Sequence, residues 1–149
     1  MADFHLEPAT LDDTQFIFEL RVKTMKPFFA PTIGWDDEEQ LKSAAEHIDE
    51  AKIIYSGDQR IGVVKFLDCK THFTLHQIQV KPEFQKKGVG SAVLKHVISK
   101  AEDLGLPIKL MVMKDTPAQK IYEKHGFIVA KSNTHNLEMV KEPISNKSV

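Results

Sequence analysis

The stretch from Phe73 to Met113 constrains the fold more than any other part of the chain. A roughly alternating run, Phe73 to Val80, leads through Lys81-Pro82-Glu83-Phe84 into the turn Gln85-Lys86-Lys87-Gly88-Val89-Gly90. Val89, Val93, Val97, Ala101 and Leu104 then recur at helical spacing on a slowly drifting apolar face. Gly105 and Pro107 end that helix. Ile108 to Met113 is nearly all apolar, as expected of a strand covered on both faces. Strand, glycine turn, long helix and buried strand together predict an α/β domain. The alternation in Phe73–Val80 is not clean, which predicts a bulge there.

The flanking segments fit around this unit. Phe4–Ala9 reads as an opening strand, and Thr10 as the N-cap of a helix with Asp12 and Asp13 in its first turn. Lys26–Trp35 loses periodicity and reads as a loop. A second helix is predicted from Asp36, with Leu41, Ala44, Ala45 and Ile48 forming one stripe. Ile53–Tyr55 and Ile61–Leu67 flank a hairpin turn at Ser56-Gly57-Asp58-Gln59. Thr116-Pro117 opens a short helix through Lys124, and Phe127–Ala130 and Asn136–Val140 are closing strands. The order is βααβββαβαββ: about seven strands and about four helices in one domain over residues 1–141. Residues 142–149 form a polar tail expected to fray.

Composition bounds the function. The chain has 149 residues, 42% hydrophobic and 28% charged, with formal net charge −1. That size allows a buried core without staples, and the balance of charge argues against nucleic acid as a partner. The single cysteine, Cys69, excludes an internal disulfide. No apolar run is long enough to span a bilayer and no leader pattern is evident, so a cytoplasmic protein without a membrane partner is the expectation. The histidines lack ligand spacing, so no metal is expected. Should the chain self-associate, a homodimer is the expectation, dimers being the commonest soluble oligomers.

The turn at Gln85–Gly90 carries the first chemical signal. The first N–H groups of a helix have no partner inside it, and its N-terminus bears about half a positive charge. Glycines there let a phosphate approach the backbone, and Lys86 and Lys87 add formal charge. A tight turn with solvated lysines would read the same way. A dinucleotide fingerprint would need glycine at Val93, and a P-loop would need a Gly-Lys-Ser/Thr ending; neither is present.

The second signal lies downstream, in Ala118-Gln119-Lys120-Ile121-Tyr122-Glu123-Lys124-His125-Gly126-Phe127. Gln-x-x-Gly-x-Gly followed, one helix and one strand later, by Ala-x-x-x-Tyr-x-x-x-Gly-Phe resembles the GNAT superfamily of acyl-CoA N-acyltransferases. The likeness is close over residues 73–130 and looser outside them. It implies a mixed, mostly antiparallel central sheet and an N-acetyltransferase moving the acetyl group of acetyl-CoA to a primary amine. A non-catalytic acyl-CoA-binding module of the same fold is the alternative. By the resemblance, the turn formed by Gln85, Lys86, Lys87, Gly88, Val89, Gly90 and Ser91 holds the pyrophosphate. The backbone of Ile78, Gln79 and Val80 pairs with the pantetheine arm, the Ile78 amide facing the thioester carbonyl. Asp115, Ala118 and Tyr122 also line the coenzyme, and Tyr122 protonates the departing thiolate. Asp115 stands where many members carry asparagine; an ionised carboxylate cannot donate a hydrogen bond.

Attack on a thioester needs a neutral amine. For a pKa of ~10.4, neutralisation at pH 7 costs roughly 4–5 kcal/mol. His76 is the candidate base, with a sheet histidine packed against its neighbours as the other reading. Glu83 is a weaker candidate, read more readily as a solvated turn residue. For the acceptor, a small-molecule amine or a protein amine, the resemblance points to the loop around Phe28, Phe29 and Trp35. Aromatics beside Asp36 and Asp37 suit an organic cation, though the same aromatics also suit a loop anchored to the core.

Overall fold

The computed structural model describes residues 3–144. Among them are strands β1 (His5–Pro8), β2 (Ala51–Ser56), β3 (Gln59–Asp68), β4 (Phe73–Val80), β5 (Ile108–Met113), β6 (Ile128–Ser132) and β7 (Asn136–Lys141). The α-helices are α1 (Thr14–Thr24), α2 (Lys26–Phe29), α3 (Asp37–Ala45), α4 (Val89–Leu104) and α5 (Pro117–Lys124), with three short 3-10 turns between elements. The seven strands form one open sheet in the order β1-β2-β3-β4-β5-β7-β6. The succession of strands along the chain predicted from sequence is therefore present, in a mixed α/β fold. The helix count is one higher, because Lys26–Trp35, read as a loop, contains α2. Pro27 at the start of that helix costs it no hydrogen bond, which lets a segment without apolar periodicity still form one turn.

The chain divides into two compact units: the residues up to Lys65 with Gln77–Val93, and Phe66–His76 with the residues from Leu94 onward. In the first unit, Thr10 and Asp13 form a reciprocal capping box ahead of α1. The α1 residues Ile17 and Leu20 are buried with Ala9, Ala44, Ala51, Ile53 and Val63 in one core cluster. The predicted stripe on the second helix is only partly realised. Ala44 is buried, but Leu41 is 41% exposed, and Ile48 lies beyond the helix in a 3-10 turn. His47, in the left-handed region, separates the two. The β2–β3 hairpin turns through Gly57-Asp58, and its register shifts at Ile54/Tyr55.

In the second unit, β4 and β5 run parallel, with Phe73 opposite Ile108 and Leu75 opposite Leu110. The β5–β7 and β6–β7 pairs are antiparallel. The expectation that β5 is covered on both faces is not met. Ile108, Leu110 and Met113 are buried, whereas Lys109 is exposed and Met111 is 59% exposed. An unbroken apolar run conceals which face is open, because Met111 is apolar and yet solvent-facing. On α4 the buried residues of this unit are Leu94, Val97 and Ala101, while Leu104 is exposed. The tail is tied down at its start: Glu102 accepts from the Ile144 N–H at 3.0 Å and from Lys141 Nζ at 3.5 Å. Residues 145–149 of the predicted tail lie outside the described residues. No helix among the described residues is long and apolar enough to cross a membrane.

Candidate active site

The first unit assembles the turn. β4 ends at Val80, and Pro82–Lys87 forms a 3-10 turn that closes on Gly88 at φ 82°. That left-handed conformation is strained for a residue with a Cβ, and an added Cβ would meet nothing within 4 Å. The first helical bond of α4 runs from the Ala92 N–H to the Gly88 carbonyl at 3.0 Å. By helix geometry the N–H groups of Val89, Gly90 and Ser91 precede it and have no partner within the helix. Gln85 is exposed but tethered. Its Nε2 donates to the Val80 carbonyl at 3.0 Å, stapling the turn to the end of β4. Lys86 and Lys87 are exposed, and Lys87 Nζ lies 5.5 Å from the Phe84 ring centre.

β4 itself is held closely from β3. The Lys81 N–H donates to the Ile61 carbonyl at 2.8 Å, and Gly62 approaches the Gln79 backbone so tightly that a Cβ there would overlap it. Burial alternates along β4 through Gln77 and then changes phase, with Val80 buried three residues later. The β5 ladder covers only Phe73–Leu75, whereas β4 continues to Val80.

A buried polar cluster that the sequence reading passed over lies in the same unit. Arg21 on α1 donates from Nε to Gln40 Oε1 at 2.9 Å and from Nη1 to Gln77 Oε1 at 3.0 Å. Gln77, only 4% exposed, keeps a buried Nε2 with no hydrogen-bond partner among the described residues. Lys65, 2% exposed, donates to the carbonyls of Ser43 (3.2 Å), Ala44 (3.4 Å) and Glu46 at the end of α3. Burial, with the Arg21 charge second, pulls the Lys65 ammonium down to about 8, against an opposing pull from Glu46. Burial likewise lowers Arg21. The available signal was a lysine set within the apolar run Ile61–Leu67.

The predicted acceptor residues also fall in this unit. Phe29 and Trp35 pack edge to face at 6.1 Å, and Trp35 Nε1 donates to Asp37 Oδ1 at 2.8 Å. Asp36 accepts from the Glu38 N–H as the N-cap of α3. Both carboxylates therefore have partners within the loop, while Phe28 is 38% exposed.

The second unit holds the other predicted residues. Tyr122 is buried on α5 with its ring centre 5.6 Å from that of Phe127, and burial pushes its phenol upward, holding it protonated. Thr116 caps α5, its Oγ1 accepting from the Gln119 N–H and donating to the Met113 carbonyl. Asp115 is exposed at φ 61°, its N–H bonded to Gln119 Oε1 at 2.8 Å. Aspartate and asparagine enter this left-handed conformation more readily than other residues with a Cβ, so a backbone requirement joins the two residue types at this position. Ala118 is half-buried on α5. His76 is exposed on β4, out of phase with the buried Phe73 and Leu75. Glu83 is exposed in the turn. No group of three or more His, Cys, Asp or Glu among the described residues is arranged to hold a metal ion.

The family model for the acetyltransferase (GNAT) domain matches residues 34–140. The chain belongs to the GNAT acetyltransferase family. Among solved structures, this GNAT fold is similar to the PaiA N-acetyltransferase from Thermoplasma acidophilum in complex with coenzyme A, with TM-score 0.75 and 16% identity over 94% of this chain and 99% of that one. It is also similar to the ribosomal-protein-S18-alanine N-acetyltransferase from Escherichia coli, with TM-score 0.72 and 17% identity over 99% of each chain. In sequence, the GNAT chain is 33% identical over 81 residues to the uncharacterized N-acetyltransferase YedL of Escherichia coli, covering 50% of each. It is 27% identical over 99 residues to the UPF0157 protein YqkA of Bacillus subtilis, covering 64% of this chain. These alignments span 50% and 29% of the two relatives' own lengths.

Proposed function

We propose that this GNAT protein transfers the acetyl group of acetyl-CoA to a primary amine by direct attack on the thioester. The observation that carries this reading is the turn at Gly88–Ser91. There the N–H groups at the start of a sixteen-residue helix, without partners inside it, adjoin two exposed lysines and an open glycine. These groups suit a diphosphate. The Gln85–Val80 bond fixes their position relative to the end of β4. The backbone of Ile78–Val80 lies beyond the end of the β5 ladder and is suited to pair with an extended pantetheine arm.

In the reaction, the neutral amine nitrogen bonds to the acetyl carbonyl carbon. The resulting oxyanion is held by the Ile78 N–H, a backbone donor fixed by its place in β4. Collapse of the tetrahedral adduct breaks the C–S bond, and the Tyr122 hydroxyl supplies a proton to the thiolate. Burial keeps the phenol protonated, so the hydroxyl carries a proton to give. His76 takes the proton that the attacking amine loses.

The test combines binding with turnover. Purified protein is expected to show a thermal shift with coenzyme A, and to release thiol from acetyl-CoA when given an amine it accepts. Well-folded protein with no shift at millimolar coenzyme A would remove the diphosphate site and the reaction together.

A further inference from the structure

We infer that the acceptor amine carries a carboxylate, received by Arg21 and Gln77; this rests on the acetyl-transfer reading above and names its substrate class. The guanidinium of Arg21 is largely buried, yet its internal partners are the neutral amide oxygens of Gln40 and Gln77. Its charge is therefore held in place without being cancelled. Lys65 adds a second buried cation within electrostatic reach, and its own partners are three backbone carbonyls. Among the described residues, neither Arg21 nor Lys65 forms an ion pair with a carboxylate side chain; the Glu46 carboxylate acts on both only from a distance.

The cluster thus has a surplus of positive charge in a region where charge is costly. It also has an orphan donor. Because Gln77 Oε1 accepts from Arg21, the amide orientation is fixed and Nε2 lies on the same amide, beside the guanidinium. One carboxylate accepting from Arg21 Nη2 and Gln77 Nε2 would satisfy both needs. Arg21 retains some exposure, which gives the anion a side from which to approach. Gln77 immediately precedes Ile78 on β4, so an anion held there places the rest of a small acceptor next to the amide assigned to the thioester carbonyl. The same two cations oppose the approach of a polyamine, whose every charged group is positive.

The experiment uses matched acceptors that differ only by the carboxylate: lysine with cadaverine, phenylalanine with phenethylamine, β-alanine with ethylamine. Thiol release from acetyl-CoA is measured for each pair with the full chain, after a coenzyme A thermal shift has been recorded. The carboxylated member of at least one pair is expected to have kcat/KM higher by about tenfold to a hundredfold, the range for a hydrogen bond to a charged group. Gln77→Glu supplies an internal carboxylate to Arg21. It is expected to raise KM for the carboxylated member by more than for its decarboxylated partner, so that the ratio of their kcat/KM values falls towards one. Arg21→Lys, which keeps the charge but loses the planar fork, is expected to shrink the same preference. Equal kcat/KM within every pair, a preference indifferent to both variants, or no turnover of any pair by coenzyme-binding protein overturns the assignment of Arg21 and Gln77. Absence of the coenzyme shift instead removes the acetyl-transfer reading itself, and the assignment with it.

Discussion

A Cβ on Gly62 would stand 2.4 Å from the backbone oxygen of Gln79, closer than any real carbon–oxygen contact. It would also stand 3.2 Å from the Val80 Cα. The obstacle is backbone and cannot rotate away, so Gly62→Ala must push β4 from β3. The expected cost is about 1–3 kcal/mol, the usual range for overpacking. Because the displaced segment ends at Val80, where Gln85 anchors the turn, coenzyme affinity is expected to fall as well. Urea midpoints and a coenzyme titration check both effects. Unchanged stability would mean that the two strands can separate without loss.

Gly90 separates stability from binding. Its added Cβ would meet only Val80 Cγ2, at 3.9 Å, and glycine is the poorer helix former. Gly90→Ala is therefore expected to leave the melting temperature unchanged or raise it, by up to about 1 kcal/mol in stability. On the proposed reading it weakens coenzyme A binding by about tenfold, because the methyl group occupies space a phosphate oxygen needs. Tighter or equal binding by calorimetry would place the diphosphate elsewhere.

Tyr122→Phe tests the acid. The packing on Phe127 involves the ring, which the variant keeps, so folding is expected to survive. Turnover is expected to fall by about a hundredfold or more with coenzyme affinity retained. Because burial raises the phenol above its ordinary value, the wild-type alkaline limb below pH ~10 does not come from Tyr122. The limb is therefore expected at the same pH in the residual activity of the variant. A limb that moves would assign the titration to the phenol.

The succession of strands along the chain was readable because each strand carries its own apolar pattern and its own turn residues. Thr116 and Asp36, where helices were expected to open, cap those helices, for the same reason: a cap is a local bond between a side chain and a backbone two or three residues away. What was not readable depends on residues far apart in sequence. Gln77 looks like an imperfection in an alternating strand until Arg21, 56 residues earlier, is placed against it. Lys65 looks like the exposed member of a hairpin until the end of α3 lies over it. The turn at Gly88 was legible through its glycines, but not the use of Gln85 to hold Val80, since a glutamine beside two lysines reads equally well as solvent-facing. The openness of β5 was also hidden, because an apolar strand looks the same whether one face or two are covered.

Lys65 gives a prediction whose sign can be worked out. The unfolded chain should hold this ammonium near the ordinary ~10.4, whereas the folded chain lowers it to about 8. Between those values the unfolded state binds the proton and the folded state does not, so stability rises with pH across that window. Below about pH 8 both states are charged and the full cost of burying the cation is felt. Lys65→Met removes the cation but leaves the carbonyls of Ser43, Ala44 and Glu46 without their donor. The expected loss at neutral pH is about 1–3 kcal/mol, the cost of unsatisfied buried groups partly offset by the lost burden of charge. The other lysines titrate alike in both proteins, so the difference isolates this one residue. Urea unfolding of wild type and variant is expected to show a gap that is flat up to about pH 8 and widens towards pH ~10. A gap that stays constant over that range would mean that the ammonium keeps its ordinary pKa in the fold, and a gap that narrows would reverse the electrostatic account of the cluster.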